Sequence, residues 1–163
     1  VDGKFGKHVE QIPEGAEVID YTGYSIAPGL VDTHIHGYAG VDVMDNNIEG
    51  TLHTMSEGLL STGVTSFLPT TLTATYEQLL AVTENLGNHY KEATGAKIRG
   101  IYYEGPYFTE TFKGAQNPTY MRDPGVEEFH SWQKAANGLL NKIRLHQNVM
   151  GWKTLFVQLR AKV

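Results

Sequence analysis

From Leu30 onward the chain alternates short apolar, β-prone runs with segments of helical period, and few folds accommodate that alternation. Leu30 to His36 reads as a strand. Ile48 to Ser61 places Leu52, Met55, Leu59 and Leu60 at helical spacing. Thr65 to Pro69 is apolar and β-branched. Tyr76 to Ala93 reads as a second helix, with Leu79, Leu80, Val82 and Leu86 on its inner side. Lys97 to Tyr103 is a third strand. A Pro/Gly-rich stretch follows, then a helix near Val126 to Ala136 and a short apolar piece at Leu139 to Ile143. Strands alternating with helices build βα units on a parallel sheet, so the expected class is α/β.

Residues 1–27 have a different texture. Asp2-Gly3, Pro13, Glu14-Gly15 and Thr22-Gly23 are turn signals, and the β-prone runs Glu17 to Ile19 and Tyr24 to Ala27 lie between them. The pattern predicts small antiparallel strands, part of a small β-domain, closed by Pro28-Gly29. The sequence starts at Val1 without a methionine and shows no signal peptide.

Composition narrows the chemistry. With 163 residues, 40% of them hydrophobic, the chain has material for about one domain with a real core. A net charge of -5 and the lack of any Lys/Arg run argue against a nucleic-acid partner held on a basic face. No apolar run approaches the roughly 20 residues of a membrane span. There are no cysteines, so a transition-metal site must draw on the seven histidines and on carboxylates. A cysteine-free chain suits a reducing cytoplasm.

Two strand ends concentrate the candidate ligands. In Asp32-Thr33-His34-Ile35-His36-Gly37, period two puts His34 and His36 on one face, roughly 7 Å apart at the backbone. Two imidazoles so placed can converge on one divalent ion, and Asp32, one step deeper on that face, can orient a ligand histidine. The same pattern also suits two surface histidines on an edge strand. Glu104 ends the third strand, sharing a face with Ile98, Gly100 and Tyr102. It reads as a metal ligand, a base, or a surface carboxylate beside a turn. In parallel α/β folds ligands bind at the carboxyl ends of strands, where both elements lie. Lys113-Gly114-Ala115-Gln116-Asn117-Pro118 reads as a loop whose backbone amides or Gln116 amide can hold a polar ligand. Tyr102, Tyr103, Tyr107 and Phe108 read as packing residues. His53, His89, His130 and His146 read as isolated.

Taken together these residues resemble the amidohydrolase superfamily. Ile26-Ala27-Pro28-Gly29-Leu30-Val31-Asp32-Thr33-His34-Ile35-His36-Gly37 is similar to that superfamily's first barrel strand and its entry from a small β-domain. Glu104-Gly105-Pro106 followed by Lys113-Gly114-Ala115-Gln116-Asn117-Pro118 is narrower and resembles the N-acetylglucosamine-6-phosphate deacetylases. The resemblance spans about Gly23 to Ile143. It implies a partial TIM (β/α)8 barrel, about the first three to four strands over residues 28–143, preceded by part of a small β-sandwich domain. It makes Glu104 the central ligand of a divalent metal, zinc or iron, with His34 and His36 at a second metal position. It puts Ala115 and Gln116 in the loop that contacts the amino sugar, where many relatives carry His in place of Gln116. The implied reaction is metal-assisted hydrolysis of N-acetylglucosamine 6-phosphate to glucosamine 6-phosphate and acetate, in a cytoplasmic enzyme that is a homo-oligomer, a dimer, at full length. Other amidohydrolases, such as dihydroorotases, share the first element.

The resemblance also implies missing parts. The family's later histidines and catalytic aspartate have no counterpart here, so no catalytic residue is assigned and the chain is expected to be an inactive N-terminal fragment. The alternative to an enzyme is a truncated, non-catalytic chain. Residues 144–163 depart from the family, which usually continues close to Leu-Ala-Pro-Glu after this strand. Codons exist for Leu145 to Arg160 that yield an Ala-Pro-Glu reading in a shifted frame. The tail is therefore expected to be aberrant, a frameshift product whose apolar residues were never selected to pack, poorly ordered or docked by accident; the alternative is a natural, divergent tail with a helix using Val149, Trp152, Leu155, Phe156 and Leu159.

Overall fold

A computed structural model of the chain describes residues 6–45, 48–146, 148–153, 155 and 157. Its centre is a parallel sheet. Strand β1 (Leu30–Ile35) leads through a small antiparallel ribbon, β2 (Gly37–Tyr38) with β3 (Val41–Asp42), into helix α1 (Ile48–Leu60). Strand β4 (Val64–Thr71) and helix α2 (Tyr76–His89) follow, then the short β5 (Lys97–Ile98), β6 (Ile101–Glu104), helix α3 (Val126–Ala135) and β7 (Leu140–Arg144). The sheet order is β1-β4-β6-β7, with β5 beside β4 and every pair in it parallel. Each new strand is added on the same side as the last. A doubly wound sheet reverses direction at a switch point, whereas a barrel winds one way, as this sheet does. Helix α2 accordingly packs between α1 and α3.

Local chemistry sets the element boundaries. Thr75 and Gln78 form a capping box that starts α2. The helix expected to run to Ala93 stops at His89 and tightens into a 3-10 turn over Tyr90–Glu92. The strand expected over Lys97 to Tyr103 is broken at Arg99-Gly100, where the Asn141 amide donates to the Arg99 carbonyl at 3.1 Å and fills the space a Gly100 side chain would take. Pro69 lies within β4 and cannot donate to a ladder. The register between β1 and β4 shifts there, and the Ile35 amide donates instead to Thr70 Oγ1 at 3.0 Å.

The core lies between the sheet and its helices. Leu52, Met55 and Leu59 of α1 and Leu79, Val82 and Leu86 of α2 are buried. Leu60, at helical spacing with them, is exposed at the end of the helix. Tyr102, Tyr103 and Tyr107 are buried as expected, and Phe108 is half-buried. Trp132 of α3 is fully buried against the rings of Tyr76, Tyr103 and Tyr107.

The two ends of the chain stand apart from the sheet's alternation, and the first differs from expectation. Among the described residues from 6 to 29 there is no strand, and Val18, Ile19, Tyr24 and Ile26 are exposed. Strand-prone side chains form a stable strand only when neighbouring strands take up their backbone groups, and no neighbour lies beside them here. In the tail, Val149 and Leu155 are buried in the core, so this part of it is docked. Hydrophobic burial is non-directional, so an apolar side chain within reach of an open core face is drawn in. Met150 and Val157 are exposed, and Phe156 and Leu159 lie outside the described residues.

Candidate metal centre

The carboxyl ends of β1 and β6 bring three side chains together. His34 Nε2 lies 3.2 Å from His36 Nε2, and Glu104 Oε2 lies 3.3 Å from the first and 3.1 Å from the second. Four ligands bound tetrahedrally at about 2.0–2.1 Å are separated from each other by about 3.3 Å. The three atoms therefore have the spacing of one face of such a tetrahedron, and among the described residues they are the one group of three able to hold a metal ion. The spacing lets one ion reach all three atoms.

Hydrogen bonding supplies a second test of fit. His36 Nδ1 lies 3.0 Å from the Thr70 carbonyl. A carbonyl only accepts, so Nδ1 carries the hydrogen, and a neutral His36 turns the lone pair of Nε2 toward Glu104. Two acceptors 3.1 Å apart require a cation between them. A proton satisfies one pair of atoms; a divalent ion satisfies all three. The donor set of two imidazoles and a carboxylate suits a divalent transition-metal ion.

Glu104 is the hub. Its side chain is 13% exposed, against 40% and 32% for the two histidines. Gln116 Nε2 donates to Oε2 at 3.2 Å, while Gln116 Oε1 accepts the Thr73 amide at 2.7 Å. The other carboxylate oxygen, Oε1, pairs with Arg144 Nη1 at 3.2 Å. Gly105 sets the direction of the chain after this ligand. It has φ +95°, and a side chain there would run into Thr73. Beneath the cluster, Tyr102 meets the His34 ring edge-on at 5.0 Å and carries Lys142 Nζ at 3.9 Å above its own ring. Burial raises the Tyr102 hydroxyl above its ordinary pKa, and the charge of Glu104 pushes the same way.

The remaining sequence-derived candidates fall close by. Ala115 and Gln116 line a cleft of about 240 Å³ together with Glu104, Phe112, Arg144 and His146. Asp32 accepts the backbone amide of His34 at 3.0 Å, so it fixes the ligand's main chain rather than its ring. The ring of His36 is oriented by the Thr70 carbonyl, a group the sequence did not single out. His146, read as isolated, stacks on Phe112 with ring centroids 4.5 Å apart at the cleft wall. His89 pairs with Glu92 at 2.9 Å. Arg144 and Lys142 were also missed. Their period-two spacing on a strand beside Glu104 was the available signal, and its meaning depended on a register the sequence does not state.

Residues 25–150 match the model of the amidohydrolase family. The chain belongs to that family. Among curated relatives, this amidohydrolase is 37% identical over 140 residues to the N-acetylglucosamine-6-phosphate deacetylase of Vibrio furnissii, covering 85% of this chain and 33% of that protein. It is 36% identical over 121 residues to the N-acetylgalactosamine-6-phosphate deacetylase of Escherichia coli O157:H7, covering 74% and 31%. The crystal structure of N-acetylglucosamine-6-phosphate deacetylase from Pasteurella multocida superposes with a TM-score of 0.79 at 27% identity, over 92% of this chain and 40% of that one. The chain thus spans about a third of the length of the curated relatives it matches. The shared parallel α/β architecture is that of part of an amidohydrolase barrel. No helix among the described residues is long and apolar enough to cross a membrane.

Proposed function

We propose that residues 28–143 supply the first βα units of a metal-dependent deacetylase acting on N-acetylglucosamine 6-phosphate, in an enzyme of the relatives' length. The observation that carries this reading is the convergence of His34, His36 and Glu104, 70 residues apart in sequence, on one face of a tetrahedron at the ends of parallel strands. These three residues would hold a divalent ion, zinc or iron. When bound, that ion supplies a water acidified from 15.7 to about 7 and polarises the amide carbonyl. The chain's own residues prepare the centre for it. Thr70 fixes the tautomer of His36, Gln116 holds the Glu104 carboxylate in place, and Asp32 pins the backbone at His34. Ala115 and Gln116 would meet the amino sugar in the cleft beside the ion. No residue of this chain is assigned as the acid that protonates the leaving amine, so the chain by itself is expected to release no acetate.

The exposed apolar side chains between Val9 and Ile26 would belong to a small β-domain that is completed by further strands. The enzyme would be a cytoplasmic dimer without a nucleic-acid partner, consistent with the net charge of -5 and the lack of cysteine. The test is a chimera that joins residues 1–143 to the later strands of the Vibrio furnissii relative. Loaded with zinc, it should release acetate from N-acetylglucosamine 6-phosphate, in preference to the galactosamine epimer, and Glu104→Gln should abolish release. A folded, zinc-bearing chimera inert toward both sugars would refute the assignment.

A further inference from the structure

The two oxygens of Glu104 are occupied differently. Oε2 faces His34, His36 and Gln116, while Oε1 is held by Arg144. We propose that Arg144, whatever the origin of the tail it opens, competes for the metal in this chain: it takes one carboxylate oxygen, so that a divalent ion is held weakly and through Oε2 alone. This inference rests on the metal reading above and deepens it.

The pairing is built by the sheet. Strands β6 and β7 are parallel neighbours, and Arg144 is the register partner of Glu104. Glu104 is the one acidic residue lining the cleft, so the guanidinium has a single carboxylate to address there, the same one the ion needs. The strand delivers a second cation from the same face. Lys142 Nζ donates to the Thr33 carbonyl at 3.0 Å, next to His34 in the chain, and lies 3.9 Å above the Tyr102 ring. With neutral imidazoles, a loaded centre would set one negative charge against a divalent ion and two side-chain cations. Like charges in a partly buried site oppose one another far more than in bulk water. Arg144 is 62% exposed, so its head group can swing into solvent when an ion arrives.

The experiment is calorimetric titration of the full chain with zinc chloride, comparing the parent with Arg144→Ala, Arg144→Gln and His34→Ala, each checked for parental circular dichroism. We expect one zinc per parental chain, and binding tighter on the order of tenfold in both Arg144 variants, the size of effect a neighbouring charge exerts on a carboxylate. The two variants guard against a folding defect in either one. Equal affinity in the parent and both Arg144 variants, with binding lost in His34→Ala, would overturn the inference and leave the metal site standing. Zinc binding that is absent throughout, or indifferent to His34→Ala, would overturn both.

Discussion

The imidazole of His36 hangs from the Thr70 carbonyl by its Nδ1, at 3.0 Å, and this one hydrogen bond decides which nitrogen meets Glu104. Strand β4 therefore orients a candidate ligand that directly follows β1, and the centre depends on how the sheet is paired as much as on the candidate ligands themselves.

Replacing Glu104 by Gln removes the charge while keeping the shape. We expect the chain to lose stoichiometric zinc in calorimetry or metal analysis after dialysis, because only the two imidazoles remain as strong donors. Zinc retained at the parental level would show that the carboxylate is not a ligand.

Gln116 touches Glu104 rather than an ion, so its removal should act by degree. Partners that orient a ligand typically contribute 10–100-fold in metal affinity. Gln116→Ala is expected to weaken zinc binding by about that factor while leaving the stoichiometry intact. An unchanged dissociation constant would mean that the contact at 3.2 Å does not steady the carboxylate.

These two roles also separate what could be read from sequence from what could not. The strand–helix alternation and the candidate ligands His34, His36 and Glu104 at strand ends were legible, because apolar spacing and the period of two are local properties of the chain. Arg144 and Thr70 were not. The part each plays follows from register between strands far apart in sequence, Glu104 with Arg144 and Ile35 with Pro69. The runs at Glu17 to Ile19 and Tyr24 to Ala27 failed for a related reason, since β-propensity expresses fit to a neighbouring strand.

Gly105→Ala tests the turn after the ligand. A non-glycine residue in the left-handed region costs about 1–2 kcal/mol, and here the added methyl also meets Thr73. Urea unfolding should show a loss of at least that size, accompanied by weaker zinc binding. Parental stability would mean that the turn relaxes freely.

Alkaline pH should unfold the protein through two buried phenols. Burial raises Tyr103 and Tyr107 well above the ordinary value of 10, and the Glu128 carboxylate, which accepts the Tyr107 hydroxyl at 2.9 Å, raises Tyr107 further. Below pH 10 the folded and unfolded chains both keep these protons. Above it only the unfolded chain releases them, so stability falls by about 1.4 kcal/mol per pH unit for each group. Tyr103→Phe should make the decline between pH 10 and about 11.5 shallower by one such group. An identical slope in the two proteins would refute this.

Leu155 is fully buried, so Leu155→Ala should destabilise the chain by about 2–5 kcal/mol. Unchanged stability in thermal or urea unfolding would show that the tail rests on the core without contributing to it, as expected of a frameshifted sequence.

Trp132 gives the molecule its own optical gauge. Its indole lies 5.9 Å from the Tyr76 ring and 6.0 Å from that of Tyr107, with the Arg122 guanidinium 5.7 Å above it. Tyr107 and Arg122 flank the stretch that carries Gln116, and both contact Glu128 beside the indole. Any lifting of that stretch from α3 admits water to Trp132 and moves its emission to the red. The sequence has one other tryptophan, Trp152, so a Trp152→Phe protein would report by colour alone whether the loop that braces Glu104 is seated.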